Sequence, residues 1–339
     1  MRIIITGGAG FIGSAFIRKF INKSDIQILN IDKLTYAGNL TAISEAEKQP
    51  NYTFLKADIS DINLMKDTVG DFAPDILINF AAESHVDRSI TNPDSFIRTN
   101  IFGTFSLLEA CRDYVANSAK KDFLFYHIST DEVFGDLQPL DAPFTENNIY
   151  DPSSPYSASK AASDHLVRAW ARTYEIDYII SNCSNNFGPF QFPEKLIPKT
   201  IIKVLQGEEI PIYGNGMQIR DWLYVDDHVE AIYSILTSGK KNENFNIGGS
   251  NEYTNISVVE KICSIIQNIH YPLLDKNFNA NSLITFIQDR PGHDTRYAIN
   301  SEKLKEHIGW SPSKPFDQRL EETVHWYVEN RTWWTSLIS

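Results

Sequence analysis

The chain has 339 residues, of which 42% are hydrophobic and 22% charged, a balance typical of a globular protein long enough to bury a full core. Its formal net charge of −12 argues against nucleic acid or an anionic membrane as the main partner. The three cysteines are widely spaced and form no C-x-x-C pair, and no apolar run approaches the roughly 18 residues of a membrane span. The N-terminus lacks a signal-peptide pattern, so a cytoplasmic protein is expected.

A glycine-rich turn follows the first apolar run. Residues 3–5 are all isoleucine, as in a strand buried on both faces of a parallel sheet. Gly7, Gly10 and Gly13 come next at G-x-x-G-x-x-G spacing, and an apolar helical pattern continues from them. Glycines at such a turn let the backbone approach a pyrophosphate at the helix N-terminus. The turn predicts a dinucleotide site; the alternative is a glycine-rich turn in an unrelated α/β protein.

The second strand ends in an acid, Asp32, nineteen residues after Gly13. A carboxylate at this position can accept hydrogen bonds from both ribose hydroxyls and repels a 2′-phosphate. The arrangement favours NAD over NADP, although the neighbouring Lys33 weakens the inference.

Strand-like runs alternate with helical patterns along the first half of the chain, at 2–6, 26–31, 52–55, 75–80, 123–128 and 177–182. This alternation predicts an α/β fold with a doubly wound parallel Rossmann sheet. After residue 188 the pattern loosens. We expect residues 1–188 to bind NAD and residues 189–339 to form mainly a smaller C-terminal α/β lobe for the substrate. A segment near 215–250 is expected to return to the main sheet.

Polar and small residues follow the third and fourth strands. Ala81 and Ala82 are small enough to let a cofactor lie against the backbone, and the polar segment 83–85 follows them. That segment is either an ordinary solvated loop or part of a site. Asp58 ends the third strand and is within reach of an adenine amino group in such a fold.

The fifth strand ends in Thr130, Asp131 and Glu132. Two adjacent acids beside hydroxyl groups at a strand end form either a polar turn or a paired acid and base whose pKa values are pushed apart. Tyr156 and Lys160 are four residues apart, so on a helix they share one face. A lysine ammonium beside the phenol is expected to lower its pKa and make it a general base.

Together these motifs resemble the extended short-chain dehydrogenase/reductase superfamily, and within it the nucleotide-sugar 4,6-dehydratases, most closely those acting on dTDP-glucose. The resemblance covers nearly the whole chain. It is carried by 6–13, 32–39, 81–89, 130–135, 156–160, 185–189, 192–198, 218–228 and 289–294.

The resemblance implies a reaction in three parts. Tyr156 takes the C4 hydroxyl proton while NAD accepts the C4 hydride; Glu132 then removes the C5 proton, and Asp131 protonates the departing C6 hydroxyl. The hydride returns to C6 and C5 is reprotonated, giving a 4-keto-6-deoxy sugar with NAD regenerated. Thr130 holds the C4 oxygen, and Lys160 also binds the nicotinamide ribose.

The resemblance also implies two sets of binding residues. The expected NAD-binding residues are Gly7, Gly10, Phe11, Ile12, Gly13, Asp32, Lys33, Leu34, Thr35, Asp58, Ile59, Ala81, Ala82, Tyr156, Lys160 and Asn186. The expected substrate-binding residues are Ser84, His85, Thr130, Asn185, Lys195, Leu196, Pro211, Tyr213, Arg220, Asn255, Arg290 and His293. Arg220 and Arg290 are the expected diphosphate clamps. The C-terminal aromatics, Trp326, Tyr327, Trp333 and Trp334, are expected to pack their lobe rather than stack on a base.

Members of the family pair two helices with those of a second copy, so residues 97–114 and 156–174 predict a homodimer. The apolar positions of the first helix are Ile97, Ile101, Phe105, Leu108 and Ala110.

The eight histidines include no metal-ligand pair, and no catalytic metal is expected.

Three alternatives stay open at this point. The same reaction on UDP-glucose differs by one methyl group on the base. A nucleotide-sugar epimerase or decarboxylase is disfavoured by the acid pair at 131–132. A non-catalytic NAD-binding regulator would not need the set of Thr130, Asp131, Glu132, Tyr156 and Lys160.

Overall fold

A computed structural model of the chain describes residues 1–118, 122–269 and 278–338. The strands, in chain order, are β1 (Arg2–Thr6), β2 (Gln27–Asp32), β3 (Tyr52–Lys56), β4 (Ile76–Asn79), β5 (Leu124–Thr130), β6 (Asp177–Cys183), β7 (Asn185–Phe187), β8 (Ile210–Tyr213), β9 (Ile219–Tyr224), β10 (Glu243–Ile247), β11 (Glu252–Thr254) and β12 (Ile284–Ile287).

The α-helices are α1 (Phe11–Phe20), α2 (Ile62–Phe72), α3 (Val86–Thr91), α4 (Pro93–Phe96), α5 (Thr104–Asn117), α6 (Pro155–Tyr174), α7 (Leu196–Gln206), α8 (Val225–Thr237), α9 (Asn255–Asn268), α10 (Glu302–Ile308), α11 (Phe316–Glu329) and α12 (Arg331–Ile338). A π-helical segment, Ile97–Gly103, leads into α5, and short 3₁₀ turns cover Leu40–Ile43, Ala46–Lys48, Asp131–Phe134 and Ala280–Leu283.

The main sheet has seven parallel strands in the order β10-β6-β5-β4-β1-β2-β3. All six strands predicted from the sequence are present in it. The chain returns to this sheet at β10, which pairs with β6 from Glu243↔Ile179 to Ile247↔Cys183. Strand order reverses between β1 and β4, so a ligand site is expected beyond the carboxyl ends of these strands. The doubly wound α/β fold is therefore as predicted.

Apolar clusters cover both faces of the sheet, and a third lies in the C-terminal part of the chain. One sheet face packs on α1 and α8, through residues such as Phe16 and Ile232. The other packs on α2, α5 and α6. The third cluster joins Phe187 to side chains of α7, α9 and α11, such as Ile201, Ile262 and Leu320. The boundary at residue 188 stays a prediction, and α10 adds Leu304 to the main-sheet core.

The predicted helix over 97–114 differs from the observed one in its first seven residues, which are π-helical. Such segments often occur at functional sites. Asn100 in this segment is buried, and its amide donates to the carbonyl of Glu83 at 3.0 Å and to Ser159 Oγ at 2.8 Å. The amide of Glu83 donates back to Asn100 Oδ1. The segment thus holds the loop after β4 against α6.

Helix α6 begins with a capping box in which the side chains of Ser154 and Ser157 each accept from the other's backbone N–H. Pro155 occupies the first helical position, where its missing N–H costs nothing. The helix ends at Glu175, whose φ of 55° is left-handed. The cap fixes Tyr156 in the first turn and places Lys160 one turn later on the same face.

Candidate active site

The glycine-rich turn leaves a helix N-terminus open to an anion. Gly7 has a φ of +71°, and a Cβ there would lie 2.6 Å from the Ala81 backbone nitrogen. A Cβ on Gly13 would collide with the Gly7 carbonyl oxygen. Helix α1 starts after Gly10 with no side-chain cap and no acid in its first turn. Its N–H groups and positive dipole end are therefore available to a pyrophosphate, and the turn fits a dinucleotide.

Asp32 ends β2 and is held by two backbone amides. Ala9 N donates to Oδ2 at 2.9 Å, and Leu34 N donates to Oδ1 at 2.8 Å. Burial raises the pKa of this carboxyl, and the two hydrogen bonds oppose the rise. Lys33 pairs with Asp58 at 2.5 Å. The Lys33 ammonium is therefore neutralised by a carboxylate, which removes the reservation that it placed on the NAD preference.

A long cleft, here called the cofactor cleft, runs from the glycine-rich turn to α6. The expected residues along it are Gly7, Gly10, Phe11, Ile12, Gly13, Ala82, Ser84, Thr130, Asp131, Glu132, Tyr156, Lys160, Asn185, Asn186 and Lys195. Other expected NAD residues lie outside its lining, at the ends of β2 and β3 or beside Gly7, namely Asp32, Lys33, Leu34, Thr35, Asp58, Ile59 and Ala81. The buried side chain of Ile59 packs in the sheet core against Gly103, so its predicted contact with NAD would have to come from its backbone.

A second cleft, here called the nucleotide cleft, opens beside the first and shares Glu132 with it. It is lined by every expected substrate residue except Thr130, which lines the cofactor cleft: Ser84, His85, Asn185, Lys195, Leu196, Pro211, Tyr213, Arg220, Asn255, Arg290 and His293. Residues that are far apart in sequence thus line the same cleft. Sequence reasoning missed Asp87, Glu194, Trp222 and Tyr297 in this lining.

Arg220 and Arg290, the two residues expected to bind the diphosphate, are held by different contacts. Arg290 Nη1 pairs with Asp87 Oδ1 at 3.2 Å, and Tyr213 OH donates to Asp87 Oδ2 at 2.9 Å. Arg220 donates to the carbonyl of Asp294 at 2.9 Å and lies over the Tyr297 ring at 4.2 Å. Both guanidinium groups are thereby oriented at the cleft. Asp87 had no recognisable signal in the sequence, because an acid in a polar loop is usually solvated.

Thr130, Asp131 and Glu132 come together where the two clefts meet. Thr130 caps the 3₁₀ turn, accepting from Glu132 N at 3.3 Å, and it donates to Asp131 Oδ1 at 3.3 Å. Asp131 and Glu132 are 2% and 9% exposed. Asp131 Oδ2 and Glu132 Oε2 are buried with no hydrogen-bond partner among the described residues. Such atoms are costly unless a ligand engages them.

The surroundings separate the two carboxyl groups. Burial raises the pKa of Asp131 strongly, and the neighbouring charge of Glu132 raises it further. Burial also raises the pKa of Glu132, but the positive charges of Arg290, Arg220 and Lys195 oppose the rise. Asp131 is therefore suited to be a general acid and Glu132 a general base.

Lys160 was expected to lower the pKa of Tyr156, and this expectation is wrong. Burial raises the pKa of Tyr156 well above its usual value, and the negative charge of Glu132 raises it further. The Lys160 ammonium donates to the Ile128 carbonyl at 2.8 Å and is not among the groups that shift the phenol. The shared helical face was predicted correctly, but the negative charges at this junction outweigh the lysine.

The four C-terminal aromatics, Trp326, Tyr327, Trp333 and Trp334, pack in their lobe as predicted. Trp333 has a second contact, because it and Leu337, both on α12, also line the cofactor cleft near Phe190. The sequence around Trp333 and Leu337 does not indicate a contact with the cleft, because only the path of α12 brings these residues to it.

Comparison with known proteins gives consistent matches. A profile of the family described as GDP-mannose 4,6 dehydratase matches residues 4–323. A dTDP-glucose 4,6-dehydratase of Neisseria meningitidis is 50% identical over 100% of this chain and 96% of its own length. One from Escherichia coli is 51% identical over 98% and 95%.

Solved structures agree in fold. The dTDP-glucose 4,6-dehydratase of Bacillus anthracis, in complex with NAD, has 41% identity and a TM-score of 0.87, covering 99% of both chains. The Streptomyces venezuelae dTDP-glucose 4,6-dehydratase, also with NAD bound, has 38% identity and a TM-score of 0.90, covering 99% of this chain and 100% of that one.

In the parts of the chain that the structure describes, no helix is long and apolar enough to cross a membrane. Residues 1–118, 122–269 and 278–338 also contain no cluster of three potential metal-ligating acids, histidines or cysteines.

Proposed function

Because the chain belongs to the GDP-mannose 4,6-dehydratase family, we propose that it is an NAD-dependent dTDP-glucose 4,6-dehydratase, a hydro-lyase. The observation that carries the proposal is the pair of buried carboxyl groups of Asp131 and Glu132. Their unpartnered oxygens lie where the cofactor cleft meets the nucleotide cleft. An elimination needs both an acid and a base at this junction, whereas an epimerisation at C4 needs neither.

NAD is held by the chain's own turn and strand ends. The open N-terminus of α1 receives the pyrophosphate, and Asp32 accepts from the ribose hydroxyls. When bound, NAD supplies an acceptor for the C4 hydride and a donor of the same hydride to C6. Lys160, fixed by the Ile128 carbonyl, has further N–H groups for the nicotinamide ribose.

Tyr156 is the base for the C4 hydroxyl. It stands in the first turn of α6, lines the cofactor cleft, and has the Thr130 hydroxyl as a neighbour. Thr130 donates to the C4 oxygen and keeps it beside the phenol. Loss of this proton allows the hydride to leave C4, which produces a ketone and makes the adjacent C5 proton acidic.

Glu132 and Asp131 then divide the elimination between them. Glu132, whose ionised form is favoured by its cationic neighbours, takes the C5 proton. Asp131, whose protonated form is favoured by burial and by the charge of Glu132, gives its proton to the C6 hydroxyl, which leaves as water. After the hydride reaches C6, Glu132 returns its proton to C5. The division follows the different surroundings of two residues that are adjacent in sequence.

Cations in the nucleotide cleft meet the diphosphate. Arg220, Arg290 and Lys195 line it, and their charges also favour the ionised form of Glu132. Lys195 is positioned by a hydrogen bond to the Ser84 carbonyl at 3.0 Å. Substrate binding and base strength therefore depend on the same three side chains.

The test is turnover of dTDP-glucose and UDP-glucose side by side, without added NAD, with the product identified by mass spectrometry. Loss of one water from dTDP-glucose is expected, and Asp131→Asn/Glu132→Gln is the inactive control. A product of unchanged mass would indicate an epimerase instead. A pocket contact to one methyl group is worth ~1–3 kcal/mol, so UDP-glucose is expected to react more slowly rather than not at all.

We also propose a homodimer formed by α6 and the segment from Ile97 to the end of α5. Ile97 and Phe102 are each 48% exposed. A continuous run of rings, Phe102 to Phe105 to Trp170 to Tyr174, has successive centroids 5.5, 5.8 and 5.8 Å apart. Such an apolar surface suits a second copy of the chain. Leu108 and Ala110, the other two apolar positions near the middle of this helix, are buried in the chain's own core and do not contribute to this surface.

A further inference from the structure

A fully buried carboxylate lies directly beneath the catalytic face of α6. Asp164 follows Tyr156 and Lys160 at successive four-residue steps, so it lies on the same side of the helix. Its side chain is 0% exposed, and none of the roles described above uses it. Buried acids of this kind are retained only where hydrogen bonds and opposite charge compensate the loss of water.

Two segments donate hydrogen bonds to Asp164. Ser129 on β5 donates to Oδ2 at 2.8 Å, and Tyr150 in the loop before α6 donates to the same oxygen at 2.9 Å. His127, also on β5, has its Nε2 3.4 Å from Oδ1. Asp164 is thus bound to β5 on either side of Ile128, whose carbonyl holds Lys160.

The histidine between the two charges is neutral and has a defined tautomer. Burial and the charge of Lys160 lower the pKa of His127 to about 4. Asn79 Oδ1 accepts from Thr6, so its Nδ2 faces His127 Nδ1 at 3.3 Å and makes that ring nitrogen the acceptor. The proton is therefore on Nε2, which lies 3.2 Å from Ser163 Oγ and faces Asp164.

We propose that Asp164 is the buried counter-charge of Lys160 and a positioning residue for the catalytic pair. The neutral ring of His127 stands between them, with Lys160 Nζ 3.4 Å from Nε2. Through Ser129 and His127 the carboxylate also holds the end of β5, from which Thr130 and Asp131 enter the cleft. The proposal rests on the proposed function for its catalytic meaning, but its charge coupling can be measured without turnover.

The electrostatics of the surrounding groups agree with this geometry. Burial lowers the pKa of Lys160, and the charge of Asp164 opposes that fall. Burial alone would raise the pKa of Asp164, but the hydrogen bond from His127 and the charge of Lys160 reverse the direction. The other titratable groups that face this pair and His127 are Tyr150 before α6, Arg168 on α6 and Cys183 on β6.

The direct test is an NMR titration of the Lys160 side chain in protein labelled with carbon-13 at the lysine ε position, assigned with Lys160→Arg. Asp164→Asn keeps the shape and removes the charge. Its titration midpoint for Lys160 is expected at least one pH unit below that of the wild type. Tyr150→Phe is the matched control, because it removes one hydrogen bond but leaves the carboxylate, and its midpoint should not move. An unchanged midpoint in Asp164→Asn overturns the proposal.

A stability cycle keeps the proposal testable if Asp164→Asn folds poorly. Lys160→Met leaves the carboxylate buried without its counter-charge, so its Tm is expected to fall, and Lys160→Met/Asp164→Asn is expected to regain part of the loss. Strictly additive Tm changes would show that the two charges are not coupled and would overturn the proposal. Coupling found together with absent dTDP-glucose turnover would support the charge pair and contradict the proposed function alone.

Discussion

At the scale of single residues, the chemistry depends on how burial is distributed around Asp131 and Glu132. Both carboxyl groups are buried. Three cations, Arg290, Arg220 and Lys195, oppose the rise in the pKa of Glu132, whereas Arg220 is the cation that opposes the rise in the pKa of Asp131. Adjacent acids in a solvated turn would titrate alike. Here their different surroundings support the proposed division, in which Asp131 donates a proton and Glu132 removes one.

We expect Glu132→Gln to abolish exchange of the C5 proton with deuterium, because the amide cannot take it up. Asp131→Asn is expected mainly to slow water loss from C6. Each change should lower kcat by about 10²–10⁴, the usual effect of removing a positioned acid or base. Deuterium incorporation and water loss are followed separately by mass spectrometry, and near-normal turnover in both variants would contradict the assignment.

The buried Asp131–Glu132 pair is also expected to lower the free energy of unfolding. Folding raises the pKa of Asp131, so the folded chain binds that proton more tightly than the unfolded chain. Its contribution to stability therefore falls as the pH rises through the folded-state pKa. Asp131→Asn is therefore expected to raise the free energy of unfolding at pH 7, because the amide does not ionise in the buried site. The gain should vanish below the usual pKa of an aspartate, which thermal unfolding at several pH values would measure.

Tyr156 provides a second residue-level prediction. The pKa of the Tyr156 phenol is raised most by burial and next by the charge of Glu132, so Glu132→Gln should lower this pKa. The pH at which C4 oxidation reaches half its maximal rate is expected to move to lower pH in this variant, because the phenolate forms more readily. Single-turnover oxidation followed by absorbance of the reduced cofactor measures the shift. Tyr156→Phe serves as the control without a base, and an upward shift would be inconsistent with this coupling.

At the scale of elements, the site depends on how α6 and α12 are placed. The capping box at Ser154 and Ser157 and the amide of Asn100 fix α6 at its catalytic end. Helix α12 reaches the cofactor cleft from the far end of the chain. Trp333 packs there against Phe190 with ring centroids 5.4 Å apart, and its Nε1 has no hydrogen-bond partner among the described residues.

We expect Trp333→Ala to speed the release of NAD several-fold, because it removes part of the wall of the cofactor cleft. Thr335→Ala is the matched control, since Thr335 is exposed on the same helix. Dissociation is measured by dilution in the presence of a scavenger, and thermal unfolding checks that both variants are folded. Equal release rates in the two variants would show that α12 has no part in retention.

At the scale of the whole molecule, a run of aromatic rings from Phe102 to Tyr174 lies along the start of α5 and along α6, with Phe102 48% exposed. The proposed dimer would cover this surface. Phe102→Glu is expected to shift the species seen by light scattering from twice 38.6 kDa to 38.6 kDa. Leu140→Glu is the control, because Leu140 is 98% exposed in a loop away from these helices. A wild type that is monomeric at micromolar concentration would contradict the dimer.

The sequence alone determined the strands of the main sheet and predicted many of the residues that line the two clefts. Apolar runs, glycines and strand-end acids have local causes, so Gly7, Asp32, Glu132 and Tyr156 could be recognised without coordinates. Tertiary structure decided what depends on distance between segments: the burial that raises the Tyr156 pKa, the Asp87–Arg290 pair, the place of Trp333 and the inward side chain of Ile59. Desolvation and charge act through space, and their balance at a strand end cannot be read from the residues next to it in the chain.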